Sequence, residues 1–94
     1  MAILGFADKE TEKVFIGNFS RRLPRDIQRM ACRKMLYMDS VDTLNDLRSP
    51  PSNHLEPLFG DRVGQYSIRI NRQYRLCFRV SDTGFTDVEI VDYH

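Results

Sequence analysis

Ninety-four residues, 41% hydrophobic and 29% charged, bound one small globular domain, 1–94, with a single modest core and no room for a regulatory module. A net charge of +1 argues against a uniformly basic surface, so any nucleic-acid partner has to be met by a local patch. MAILGFADKE lacks the basic n-region of a signal peptide, no stretch approaches the ~18 apolar residues of a membrane span, and two cysteines without CxxC or zinc spacing imply reduced thiols in the cytoplasm, with no metal or cofactor.

In chain order, Ile3 to Phe6 reads as a short strand and Asp8 through Ile16 as a short helix, with Asp8 near its N-cap and acids in the first turn. Leu23-Pro24-Arg25-Asp26 opens a second helix, with Pro24 suited to its first turn. Ile27, Met30, Ala31, Met35 and Met38 recur at threes and fours as a core stripe, and Arg25, Arg29 and Arg33 occupy the opposite face. Ser40 is the expected cap of a third short helix through Leu44 and Leu47. Past the loop Ser49 to Asn53 the pattern becomes strand-like, over Leu55–Phe59, Gln65–Ile70, Tyr74–Val80 and Phe85–Tyr93. Short turns join these runs, which predicts an α+β domain with N-terminal helices packed on an antiparallel sheet of about four or five strands.

The middle hairpin admits a register argument. Tyr66, Ile68 and Ile70 alternate with polar residues, as do Tyr74, Leu76, Phe78 and Val80. A two-residue loop would put one apolar row on the wrong face, whereas the three-residue loop Asn71-Arg72-Gln73 pairs Ile70 with Tyr74 and keeps both rows together. Arg69 then faces Arg75, a like-charge pair that calls for acids from a neighbouring strand or a bound anion.

Arginine dominates the basic residues and clusters locally: six basic residues lie between Arg21 and Lys34, and six arginines between Arg48 and Arg79. Its planar fork suits bidentate phosphate binding, although surface arginines paired with acids are the ordinary alternative. The last strand runs into Asp92, Tyr93 and His94. Beside an arginine-bearing face such a triplet fits RNA cleavage, which needs a base for the 2′-hydroxyl, an acid for the leaving oxygen and positive charge on the phosphate. His94 or Asp92 can carry protons, Arg75 can hold the phosphate, and Tyr93 can stack on a base or donate a hydrogen bond. A frayed tail is the bland reading of the same residues. His54 reads as an exposed loop residue, Cys77 as an inert buried thiol, and Tyr37, Tyr66 and Tyr74 as core or core-edge aromatics.

The stretch LRSPPSNHLEPLFGDRVGQYSIRINRQYRLCFRV followed by VEIVDYH resembles the HigB-type toxins of the RelE/ParE superfamily, from about Arg21 to His94. The motifs that carry the resemblance are L-x-G-[DN]-R, G-x-x-S-I-R-I-N, [YW]-R-[IL]-C-F and the terminal D-Y-H, in that order. It implies a RelE-like fold and a metal-independent endoribonuclease that cuts mRNA in the ribosomal A site. It further implies neutralisation by a HigA-like antitoxin with a helix-turn-helix domain, through which alone DNA is met. Carried over by position, the catalytic residues would be Arg75, Asp92, Tyr93 and His94, and Arg62 and Arg69 would be RNA-binding, with Arg72 a further RNA-binding candidate. Phe59 departs from the pattern, standing where many members have a phosphate-binding lysine before G-D-R. The alternative is a non-nucleolytic inhibitor of a protein target such as DNA gyrase, as in the ParE branch, and a plain RNA-binding module is a third reading. D-Y-H separates the first reading from the second, having no purpose in gyrase binding, and cleavage products separate it from the third.

Overall fold

Asp8 starts the first helix because its carboxylate accepts the Thr11 backbone N–H at 2.7 Å, satisfying a donor that a helix start leaves open. In the computed structural model, which describes residues 1–93, this helix, α1, spans Lys9–Phe15 and the longer α2 spans Arg25–Ser40. Five strands follow the order β1-β5-β4-β3-β2, with β1 Ala2–Ile3, β2 Glu56–Pro57, β3 Tyr66–Arg69, β4 Tyr74–Val80 and β5 Gly84–Asp92. Short 3-10 turns at Leu44–Arg48, Pro51–Asn53 and Gly60–Arg62 fill the connection from α2 to β3.

The four later strands are antiparallel neighbours in sequence order, as the turn spacing predicts. β1 differs: it lies parallel to β5, with Ala2 opposite Gly84 and Ile3 opposite Phe85, so the sheet is mixed. A parallel partner needs a long crossover, here supplied by both helices and three strands. Gly84 permits the approach, since a β-carbon there would stand 2.2 Å from the Ala2 carbonyl oxygen. The strand expected over Leu55–Phe59 contracts to two residues, because the chain turns at Gly60, whose φ of 65° suits glycine.

α2 buries Ile27, Ala31, Met35 and Met38 against the sheet, but Met30 is 41% exposed and Gln28 takes the buried position. At 3.6 residues per turn, Met30 falls on the outward side with Arg33 and Tyr37. Gln28 is tolerated inside because its amide donates to the Ser20 and Leu23 carbonyls at 2.7 and 3.0 Å and accepts the Ser20 N–H at 3.0 Å. α2 runs through Ser40, so the next cap is Thr43, which exchanges side-chain and backbone bonds with Asp46 in a capping box.

The core lies between the helices and one sheet face, where Ile68, Leu76, Phe78, Phe85 and Val88 are fully buried. A register slip places Cys77 opposite Glu89 but Arg79 opposite Thr86, an extra residue on β5 at Asp87, which adopts a left-handed φ of 52°. The bulge re-phases the strand so that Phe85, Val88 and Ile90 all point into the core. Past the isolated parallel bridge between Phe6 and Val88, β5 is met by α1, where Thr11 Oγ1 accepts the buried Ile90 N–H at 3.0 Å. No helix among the described residues is long and apolar enough to cross a membrane.

Candidate active site on the outer sheet face

The predicted hairpin register is the one observed: Ile68 faces Leu76 and Arg69 faces Arg75. Cross-strand partners share a face, so Glu56, Ser67, Arg69, Arg75, Cys77, Glu89 and Val91 all lie on the side away from the helices. The like-charge pair finds its acid on the edge strand, where Glu56 Oε1 stands 3.6 Å from Arg75 Nη2.

Arg75 is only 7% exposed and its guanidinium is oriented from several sides. Nε donates to Ser67 Oγ at 2.7 Å, Nη2 donates to the His54 carbonyl at 2.5 Å, and the Ser67 carbonyl lies 3.5 Å away. The Tyr93 ring covers the group at 5.7 Å from its centroid, a cation–π arrangement. Nη1 makes no hydrogen bond to a described residue. Sequence reasoning named Arg75 and Tyr93 but missed Ser67, Glu56 and the His54 carbonyl. Ser67 was within reach of the register argument, being diagonal to Arg75 across the hairpin, whereas a backbone carbonyl 21 positions away leaves no mark on side-chain pattern.

Arg62 and Glu89 form a half-exposed ion pair at 3.2 Å, and Arg62 also donates to Gln65 at 3.1 Å. Cys77 is buried on this face, and burial raises its thiol above the ordinary 9.0, keeping it protonated and a poor nucleophile. Arg69 is half-buried, and Arg72 is exposed on the turn shaped by Asn71, whose Oδ1 accepts the N–H groups of Gln73 and Tyr74 at 2.8 and 2.7 Å.

The end of β5 is tied to that turn. The Tyr93 N–H donates to the Gln73 carbonyl at 2.6 Å, and Gln73 Nε2 donates to both Asp92 carboxylate oxygens at 3.2 Å. Asp92 pairs opposite Tyr74, so it has the other facial parity and stands exposed at the sheet end, while Tyr93 returns to the arginine face. His94, the last member of the expected triplet, lies outside the described residues. The structure therefore brings Arg75, Tyr93, Arg69 and Arg62 to one face with Asp92 at its rim.

The model for the RelE-like toxin of type II toxin-antitoxin system HigB matches residues 4–94 of the chain. Over 80 residues the chain is 40% identical to Toxin HigB-1 of Vibrio cholerae serotype O1, covering 84% of each protein. It is also 40% identical over 63 residues to an uncharacterized protein of Haemophilus influenzae, covering 67% of this chain and 62% of that one. Among solved structures, a chain of the YoeB-YefM complex from Staphylococcus aureus has a TM-score of 0.55 at 15% identity, over 100% of this chain and 99% of that one. The YoeB/ParE toxin from Agrobacterium tumefaciens has a TM-score of 0.52 at 20% identity with the same coverage, and likenesses this distant speak for the fold alone. The sequence match across nearly the whole chain, on an α+β scaffold of the RelE type, places this protein in the HigB family of type II toxin–antitoxin toxins.

Proposed function

We propose that this toxin is a metal-independent, ribosome-dependent mRNA endonuclease that acts in the cytoplasm on the message in the ribosomal A site. In this reading the RNA 2′-oxygen attacks the adjacent phosphorus, giving up its proton to His94 or Asp92. The bond from phosphorus to the leaving 5′-oxygen breaks, the other group protonates that oxygen, and a 2′,3′-cyclic phosphate remains. Arg75 meets the charge that develops on the phosphate, and Tyr93 stacks on or hydrogen-bonds the RNA. Arg62, Arg69 and Arg72 contact the RNA backbone. A HigA-like helix-turn-helix antitoxin neutralises the toxin, which meets DNA only through it.

The observation that carries the reading is the Arg75 guanidinium, held by Ser67, His54 and Glu56 beneath the Tyr93 ring on the sheet face away from the helices. A cation fixed before the reaction needs no reorganisation as transition-state charge appears, which is where electrostatic catalysis is strongest. Removing one such donor typically costs about 100-fold or more in rate.

The test is a cell-free bacterial translation reaction with the protein, its Arg75→Lys variant and its His94→Ala variant. Primer extension should show cutting within codons by the parent protein, 2′,3′-cyclic or 3′-phosphate ends, and a loss of about 100-fold in both variants. Undiminished cutting by both would remove the assigned site. Intact mRNA with inhibited gyrase supercoiling would replace the nuclease reading with that of a protein-target inhibitor.

A further inference from the structure

Lys34 behaves unlike the basic residues around it. Arg25, Arg29 and Arg33 are exposed on α2, whereas Lys34 is half-buried and its Nζ donates to Asn53 Oδ1. Burial holds its pKa below the ordinary 10.5. Asn53 is wholly buried and its side chain is engaged at both ends, with Nδ2 donating to the Leu47 and Ser49 carbonyls at 3.1 and 3.2 Å. Its own N–H donates to the Pro50 carbonyl at 2.9 Å. An amide bound on every side cannot turn without leaving buried polar groups unpaired.

The next residue, His54, is left-handed, with φ 46° and ψ 55°. A residue carrying a β-carbon persists there when its surroundings over-determine it, and Asn53 supplies that constraint one position earlier. The turn aims the His54 carbonyl at Arg75 Nη2, 2.5 Å away. A continuous chain of contacts thus leads from α2 through Lys34, Asn53 and the His54 backbone to the guanidinium beneath Tyr93.

We infer that Lys34 and Asn53 are positioning residues, which hold the His54 carbonyl in place and through it aim Arg75 at the scissile phosphate. This rests on the nuclease reading above for its chemistry, though not for its geometry. Neither residue touches substrate. If Asn53 only staples its loop, its Nδ2 bonds to Leu47 and Ser49 suffice, and removing the lysine leaves Arg75 unchanged.

Two variants of the full chain separate these cases. Lys34→Met keeps the aliphatic stem and removes the donor, while Asn53→Asp keeps the shape but sets an acceptor against the Leu47 and Ser49 carbonyls. Folding is checked by circular dichroism, and Lys34→Met carries the test if Asn53→Asp does not fold. The first readout is the Arg75 Nε–H resonance in a ¹H–¹⁵N spectrum, assigned by its loss in Arg75→Lys, which reports orientation whether or not RNA is cut. The second is cleavage of ribosome-bound mRNA. The Arg75 resonance should shift in both variants. Displacement of a reacting group by about 1 Å costs on the order of 100-fold. On that scale kcat should fall about tenfold in Lys34→Met and about 100-fold in Asn53→Asp, with KM within about twofold of the parent. An unchanged resonance in folded Lys34→Met overturns the inference, as does a shifted one with unchanged cleavage. If the parent protein cuts nothing, the nuclease reading fails and the resonance alone decides whether Lys34 and Asn53 orient Arg75.

Discussion

Arg75 sits where a buried cation would be costly if left alone, and each of its contacts offsets part of that cost. The near-zero exposure of Ser67 and the fit of Tyr93 over the guanidinium mean that the group is held in one orientation. Phe59 presents the opposite case. It is 79% exposed at the position where the family pattern often has lysine, so an apolar ring faces solvent in place of a cation. Phe59→Lys should tighten binding to the programmed ribosome and steepen the dependence of log affinity on log salt by about one counterion, measured by filter binding across a salt series. An unchanged slope would mean that this side chain does not approach phosphate.

At the scale of elements, α1 is a clamp on β5. Thr11 Oγ1 receives the Ile90 N–H, and Glu10 receives the Ser20 hydroxyl at 2.6 Å, so one short helix secures both the last strand and the loop before α2. Thr11→Val preserves shape and leaves a buried N–H unpaired, which should cost about 1–3 kcal/mol in urea unfolding. A value near zero would show that another acceptor replaces the hydroxyl. The hydrogen bond from Ser20 holds the Glu10 carboxyl below its ordinary 4.5, with Lys13 adding to the effect. A depressed carboxyl pKa gives stability that is fully present above the unfolded value and is lost as pH falls through the folded one. The folded protein should therefore weaken on acidification below pH 4.5, and Glu10→Gln should flatten that part of the stability profile. The hairpin belongs to the same scale, and its register was legible because a one-residue slip would turn a full apolar row to solvent. The β5 bulge was not: re-phasing one strand depends on what Phe85 and Val88 meet in the core.

For the whole molecule, the modest net charge of +1 conceals two groups of arginines on opposite sides of the core. Arg29 and Arg33 lie on the solvent side of α2, beyond the core, while Arg62, Arg69 and Arg75 lie on the far side of the sheet. If the sheet face holds the scissile phosphate, Arg29→Gln with Arg33→Gln should leave single-turnover cleavage within about twofold, because surface changes remote from the chemistry seldom move it. Arg69→Gln with Arg72→Gln should lower it about tenfold or more, at about 1.4 kcal/mol per decade. Equal losses in the two pairs would place both surfaces against the ribosome–message complex.

Sequence alone determined what local periodicity and turn chemistry control, the two α-helices and the hairpin register that opposes Arg69 and Arg75, and its motifs carried the resemblance to the toxin family. Only the tertiary structure decided that β1 pairs in parallel with β5, that Lys34 reaches Asn53 across the fold, and that Arg75 is buried beneath Tyr93 with Glu56 beside it. The physical reason is range. Side-chain alternation and capping are set within a few residues, whereas a crossover pairing or a carbonyl aimed at a guanidinium depends on segments that meet only after the core has closed.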